Sequence, residues 1–216
     1  MSAVAEEIAL GKSVAAGLRH IGQIAIECLD DGSFMLVHRD DAARDDLAVY
    51  HATEDAAELA RFDDAGNYRP LKTAPNLRHG WRLTLRGVAE LRTALDLFHP
   101  GRLAAFFAFE KHELVTTPLR GTLGRQSGMY RIAAQIDDPA ADELAGSFCR
   151  SDGGCLRTIL WRRDAQGTVA STRLPAEKFN PTHDQTGGGK PVLPLLCQEA
   201  CNLLVAEARK VVQAGR

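Results

Sequence analysis

Four of the five cysteines fall into two pairs in the last third of the chain. The first pair is Cys149 and Cys155, and the second pair is Cys197 and Cys201. Thiolates grouped two by two are a common protein ligand set for a soft metal ion or an iron–sulfur cluster. The two pairs therefore predict that this part of the chain folds around a single four-thiolate metal centre.

The two pairs differ in their expected local structure. The first flanks a loop containing Gly153 and Gly154, whose backbone N–H groups can approach a cluster and donate hydrogen bonds to its sulfurs. The second lies in LPLLCQEACNLLVAEARKVV, which has the pattern of a long helix beginning near Pro194. On a helix, Cys197 and Cys201 would project from the same face. Cys197 would lie near the first turn, where the helix dipole favours a thiolate.

The spacing of the pairs bears on the identity of the metal. Structural zinc sites usually use C-x₂₋₄-C knuckles; CQEAC fits that window, whereas CRSDGGC is too wide. A [4Fe–4S] cluster is larger than a single ion, so the spacing favours the cluster, with zinc as the alternative and simple burial of the thiols as a third interpretation. Four arginines around the first pair would offset the negative charge of an all-thiolate cluster: Arg150, Arg157, Arg162 and Arg163. The fifth cysteine, Cys28, lies alone in a strand-like run and is interpreted as a buried small apolar residue.

Composition places the chain among ordinary globular proteins. Of its 216 residues 45% are hydrophobic and 25% are charged, and the formal net charge is −2. This balance gives no general affinity for nucleic acid or for acidic membranes. The sequence has neither the pattern of a signal peptide nor an apolar run of the ~20 residues that a membrane span needs. A cytoplasmic location is therefore expected, and in a reducing compartment paired cysteines indicate metal ligands rather than disulfides.

The order of the secondary structure patterns predicts an α+β fold. A helix at the N-terminus is followed by a β-hairpin, IGQIAIECL and SFMLVHR, which turns at Asp30, Asp31 and Gly32. DLAVYHA and WRLTL are typical of further strands of a small sheet, and TEDAAELARF, VAELRTALDLF and RLAAFFAFEKHEL of helices. A helical region follows and ends in the long C-terminal helix. We expect two domains, an α+β domain over residues 1–140 and a metal-binding domain over 141–216.

Three stretches resemble a known family: VTTPLRGTLGRQSGMYRIA, FCRSDGGCLRTILW and PLLCQEACNLL. They are similar to the C-terminal half of sirohydrochlorin-chelatase-like multi-domain proteins, in which a stabilising domain and a [4Fe–4S] cluster-binding domain follow a chelatase-like domain. The resemblance implies that Cys149, Cys155, Cys197 and Cys201 hold a [4Fe–4S] cluster, with a role in redox chemistry or structural support beside tetrapyrrole metal insertion. It also implies a chelatase-like protein or a tetrapyrrole as partner. The chain is too short to include the chelatase-like domain, so no chelatase activity of its own is expected.

Two further groups of residues bear on an enzymatic role. Arg120, Arg125 and Arg131 could form a basic patch for an acidic ligand such as a carboxylate-rich tetrapyrrole, although a solvated helix face with ordinary ion pairs is the simpler interpretation. The seven histidines are scattered along the sequence and are interpreted as surface or capping residues, with no pair suited to holding a metal. No nucleophile motif is present, and the glycine-rich HDQTGGGKP lacks the residues of a phosphate-binding loop.

Overall fold

The computed structural model describes residues 2–70, 72–73, 76–125, 128–150, 155–161 and 192–215. The chain divides into two compact units. Unit 1 comprises Met1–His112 and Asn180–Leu195, and unit 2 comprises Glu113–Phe179 and Leu196–Arg216. The division at residue 112 precedes the boundary expected at residue 140, because the helical segments after residue 118 pack with the C-terminal helix rather than with the sheet. The class is α+β, as predicted.

Unit 1 is built on a mixed sheet with the strand order β4-β5-β3-β2-β1-β7 in the described residues. Its strands are β1 (His20–Ile21), β2 (Ile24–Cys28), β3 (Phe34–His38), β4 (Ala48–Tyr50), β5 (Trp81–Leu85) and β7 (Val192–Leu193). Strands β1, β2, β3 and β5 pair antiparallel, whereas β4 pairs parallel with β5 and β7 pairs parallel with β1.

The predicted hairpin is confirmed, and its turn has the expected chemistry. The side-chain oxygen Oδ1 of Asp31 accepts hydrogen bonds from the backbone N–H of Ser33 at 2.9 Å and from its hydroxyl at 2.5 Å. Gly32 has φ +81°, a left-handed conformation that favours glycine. The run IGQIAIECL is not one strand, because a second turn at Gly22 (φ +57°) separates β1 from β2.

Four helices of unit 1 pack against one another: α1 (Ala3–Ala15), α2 (Asp55–Leu59), α3 (Val88–Phe98) and α4 (Arg102–Glu110). Strand β5 alternates buried and half-buried residues, and its buried Trp81 stacks on Phe98 of α3 with ring centroids 5.2 Å apart. Helix α1 is joined to α3 by the Nε of Arg92, which donates to Glu6 at 3.0 Å. Helix α2 begins after Glu54, whose side chain makes no capping hydrogen bond.

Unit 2 contains α5 (Leu119–Arg125), a 3₁₀ segment (Gly128–Gln135), α6 (Asp138–Arg150), β6 (Thr158–Ile159), β8 (Leu196–Cys197) and α7 (Asn202–Ala214). The helices enclose one hydrophobic cluster that includes Leu123, Ile136, Trp161 and Leu204. None of the helices in the described part of the chain has the length and apolar character needed to cross a bilayer.

The long C-terminal helix predicted from Pro194 onward is partly wrong. Helix α7 begins only at Asn202, and residues 196–197 form strand β8. Strand β8 pairs parallel with β6, with Ile159 opposite Cys197. Residues 196–197 have the sequence pattern of a helix but are extended. Their pairing with a distant strand satisfies the backbone N–H and C=O groups.

Candidate metal centre

The four cysteines of the two pairs all belong to unit 2 and lie on four different structural segments. Cys149 lies in the last turn of α6, and Cys155 precedes β6. Cys197 ends β8, and Cys201 is the N-cap residue of α7. The predicted helical i,i+4 arrangement of the second pair is wrong: a strand and a helix start carry its two thiols. The loop with Gly153 and Gly154 lies outside the described residues.

Packing brings three of these cysteines to one hydrophobic cluster. Cys197 is a buried member of that cluster with 7% of its surface exposed, and the half-buried Cys149 and Cys201 pack against it. The thiol of Cys155 accepts a hydrogen bond from the N–H of Arg157 at 3.4 Å. Strand pairing holds this segment in place, since the N–H of Leu160 donates to the carbonyl of Cys197 at 2.9 Å.

The electrostatics of Cys149 show that the fourth thiol lies in the same group. The pKa of Cys149 is raised to about 12, first by burial and then by the charges of Cys155, Cys197 and Cys201. A charge acts on the pKa of a neighbouring group only over short distances in a protein. These charges therefore place Cys155 near the other three thiols, and the four are named the cysteine constellation. Burial and the neighbouring thiols disfavour the thiolate form of Cys149, and a bound cation would favour it.

Two buried N–H donors on the segment after Cys155 suit a site whose sulfur ligands accept hydrogen bonds. The indole Nε1 of Trp161 and the guanidinium Nε of Arg157 are buried, and neither has a hydrogen-bond partner among the described residues. A buried donor without a partner costs free energy. The positive charge of Arg157 also lowers the pKa of Cys149, so its guanidinium lies within electrostatic reach of the thiols. Of the four arginines considered for charge compensation, Arg157 is the one whose side chain belongs to the described residues.

The separation of the sulfurs bears on the choice between a cluster and a single ion. Four thiolates around one zinc lie roughly 3.8 Å from one another, given tetrahedral angles and Zn–S bonds of about 2.3 Å. Among the described residues, the group of potential metal-ligating side chains whose donor atoms all lie within 4.8 Å of one another contains no cysteine. The four sulfurs therefore stand further apart than the ligands of one tetrahedral zinc.

Helix α5 holds the turn between the second pair of cysteines. The N–H of Thr117, just before α5, donates to the carbonyl of Gln198 at 2.9 Å. At the other end of α5, Arg125 Nη2 donates to Glu199 Oε2 at 2.9 Å. The thiol of Cys197 donates to the Glu199 carbonyl at 3.1 Å. The turn between Cys197 and Cys201 is thus held by contacts with the two ends of α5, in addition to the strand and helix that flank it.

The arginines of the suggested anion patch are largely engaged within the chain. Arg120 donates to the backbone carbonyls of Ala134 and Ile136 and to the carboxylate of Asp138 at 2.5 Å. Arg125 pairs with Glu199, and Arg131 is exposed. Two of the three are therefore engaged in contacts within unit 2.

Comparisons with known proteins agree with the division into two units. Residues 9–110 match the family model described as the DR2241 stabilising domain, and residues 111–210 match that described as a 4Fe-4S iron–sulfur cluster binding domain. All four cysteines of the constellation lie within the residues that match the cluster binding model.

A solved structure resembles the whole chain. It is DR2241 from Deinococcus radiodurans, whose crystal structure reveals a multi-domain protein with structural similarity to chelatases and two additional novel domains. The two proteins share 29% sequence identity with a TM-score of 0.76; the match covers 99% of the present chain and 42% of DR2241. The chain thus spans about two fifths of the length of that relative. No curated protein matches the sequence.

Proposed function

We propose that the chain binds one [4Fe–4S] cluster through Cys149, Cys155, Cys197 and Cys201 and acts as an accessory protein of tetrapyrrole metal insertion. The observation that supports this most directly is the convergence of the four thiols, on four segments of unit 2, within the residues that match a 4Fe-4S cluster binding domain. When bound, such a cluster takes up and releases one electron.

The residues of unit 2 would perform three tasks for the cluster. The cysteines would supply all four ligands, which leaves no iron position open to a substrate and argues against Lewis-acid catalysis. The apolar side chains around Cys197 would exclude water, and Arg157 would offset negative charge. Cys201 at the start of α7 lies at the positive end of a 13-residue helix, where a thiolate is stabilised.

The link to tetrapyrrole chemistry is supported by the relative rather than by the site. DR2241 combines structural similarity to chelatases with two further domains, and the present chain matches 42% of it. We therefore propose a chelatase-like protein as the partner, with the cluster serving electron transfer or structural support. The paired state of Arg120 and Arg125 gives no support to a tetrapyrrole site on the suggested arginine patch.

Analysis of anaerobically purified protein tests the proposal. We expect about four iron and four sulfide per chain, together with a broad charge-transfer absorption. Cys197→Ser should lose iron and colour. Cys28→Ser is the matched control, because Cys28 is a free cysteine in unit 1 and is exposed rather than buried as expected from the sequence. This variant should retain both iron and colour. Zinc without iron in the wild-type protein would support the zinc alternative, and unchanged iron in Cys197→Ser would rule that cysteine out as a ligand.

A further inference from the structure

A second group of metal-ligating side chains lies in unit 1, separate from the cysteines. Each of His38, Asp41 and His79 offers a donor atom within 4.8 Å of those of the other two. His38 ends β3, Asp41 lies in the 3₁₀ turn that follows it, and His79 precedes β5. The antiparallel pairing of β3 with β5 therefore brings together residues that are about forty positions apart in the sequence.

Most of the group is buried in the interior of unit 1. The side chains of His38 and Asp41 are 0% and 3% exposed, whereas that of His79 is 37% exposed. The imidazole rings of the two histidines lie with their centroids 3.8 Å apart. Asp41 is held by its Oδ2, which accepts a hydrogen bond from the N–H of Gly80 at 2.7 Å. His38 and Asp41 are thus held in the interior, whereas His79 is partly exposed to solvent.

The orientation of His79 suits a ligand. Its Nδ1 faces Oδ1 of Asp41 at 3.3 Å, and its Nε2 faces Oδ2 of Asp64 at 3.8 Å. Ligands about 2.0–2.1 Å from a tetrahedral metal lie roughly 3.3–3.4 Å apart, which matches the first distance. An imidazole whose outer N–H points at a carboxylate is the usual second-shell arrangement around a metal-bound histidine.

His38 contributes an unsatisfied nitrogen. Its Nε2 is buried and has no hydrogen-bond partner among the described residues, which is costly for a polar atom. Its Nδ1 accepts from the N–H of Asp40 at 3.2 Å and lies 3.7 Å from the carboxylate of the same residue. Binding a metal through Nε2 would move the ring proton to Nδ1, which would then exchange the bond from the Asp40 N–H for one to the Asp40 carboxylate.

Arg44, the other side-chain partner of Asp41, would still be paired with a carboxylate if Asp41 bound a metal ion. Arg44 donates to Oδ1 of Asp41 at 3.1 Å, but it also donates to both carboxylate oxygens of Asp46 at 2.9 and 2.8 Å. Arg44 therefore keeps a bidentate partner when Oδ1 binds a cation.

We propose that His38, Asp41 and His79 form a binding site for a divalent transition metal ion such as Zn²⁺, with Asp64 as the outer partner of His79. Two imidazoles and one carboxylate are a donor set for zinc or ferrous iron, and the two imidazoles disfavour Mg²⁺ and Ca²⁺. Three protein ligands leave a coordination position open on the exposed side of His79. The site is independent of the cysteine constellation and of the function proposed for it.

Zinc binding to the full chain tests this site, provided that the cysteines are occupied. Anaerobic, cluster-loaded protein is dialysed against Zn²⁺, and zinc and iron per chain are measured. We expect one zinc per chain, and its X-ray absorption should show nitrogen and oxygen neighbours at about 2.0–2.1 Å without sulfur at about 2.3 Å. A parallel measurement on the chain with serine at all four cysteine positions of unit 2 gives the same readout without a cluster.

Three variants locate the zinc. His79→Ala should lose it, and Asp64→Asn, at an exposed position, should weaken binding about tenfold or more. His51→Ala is the control, because His51 is exposed and follows β4, and it should keep the full affinity. Iron content should be the same in all three. Absence of zinc in the wild-type chain, sulfur among its neighbours, or unchanged binding in His79→Ala would overturn the proposal.

Discussion

The charge of Arg157 acts directly on the cysteine constellation. Its guanidinium lowers the pKa of Cys149, and its buried Nε has no hydrogen-bond partner among the described residues. The reduction potential of an iron–sulfur cluster depends on nearby charge and on hydrogen bonds to its sulfurs. Arg157 is therefore the residue by which we expect unit 2 to raise the potential of its cluster.

Replacing Arg157 tests this role. Arg157→Gln removes a positive charge near the cluster, which makes reduction less favourable, so the midpoint potential should fall by on the order of 50 mV, equivalent to roughly 1 kcal/mol for one electron. Potentiometric titration followed by electron paramagnetic resonance measures the shift. Arg157→Lys, which keeps the charge, is the control and should remain closer to the wild-type potential. An equal fall in both variants would show that charge is not the cause.

Substituting two glycines of unit 1 distinguishes the cost of backbone strain from the cost of a steric clash. Gly22 and Gly32 both have positive φ, but a Cβ on Gly32 would meet nothing within 4 Å, whereas one on Gly22 would approach His99 Nε2 and Leu195 Cδ1, each at 3.1 Å. Gly32→Ala should cost about 1–2 kcal/mol of unfolding free energy from the left-handed backbone alone. Gly22→Ala should cost more, as measured by urea denaturation. Equal losses would mean that the neighbours of Gly22 move aside freely.

At the scale of elements, α5 joins two parts of unit 2. Arg120 joins it to the end of the 3₁₀ segment and to the start of α6, through two carbonyls and Asp138. Arg125 joins it to Glu199, in the turn between the second pair of cysteines, but both of these side chains are about half exposed. The two arginines of the same short helix should therefore differ in their contribution to stability.

Alanine substitution of these arginines measures the difference. Arg120→Ala leaves the partly buried carbonyl of Ile136 without this donor and should lower the unfolding free energy by about 1–2 kcal/mol. Arg125→Ala removes an exposed ion pair and should cost less than about 1 kcal/mol. Urea denaturation of the two variants under the same conditions gives the comparison. A larger loss for Arg125→Ala would mean that the surface pair supports the cysteine turn more strongly than its exposure indicates.

At the scale of the molecule, the proposed cluster would connect segments that are far apart in sequence but belong to one unit. Cys149 and Cys155 come from the start of the last third of the chain, and Cys197 and Cys201 from nearer its end. A cofactor that binds the folded state only stabilises the part that it joins. Its loss should therefore loosen unit 2 and leave unit 1 largely unchanged.

Hydrogen exchange before and after cluster removal tests this expectation. Chelation under anaerobic conditions should speed amide exchange in α6 and α7 at least tenfold, because their ends carry Cys149 and Cys201. Exchange in β2, β3 and β5 of unit 1 should change much less. An equal acceleration in both units would show that the chain unfolds as a single cooperative body.

The sequence alone was sufficient for the elements whose signals are local. The hairpin turn at Asp31 and Gly32, strand β5 and helix α3 follow from turn residues and from apolar periodicity, which act within a few positions. The four cysteines were also identifiable, since two tight pairs of thiols seldom arise from packing preference alone. The start of α7 cannot be identified from the sequence, because strand pairing between β8 and β6 overrides the helical pattern around Cys197.

Tertiary structure decided what depends on distant partners. The thiols of the two pairs meet because β6 pairs with β8 and both lie beside the helices of unit 2. The sequence indicates scattered surface or capping roles for His38 and His79, yet pairing of β3 with β5 brings their rings together. The physical reason is the same in both cases: local patterns fix the type of an element, whereas the contacts between elements determine which side chains become neighbours.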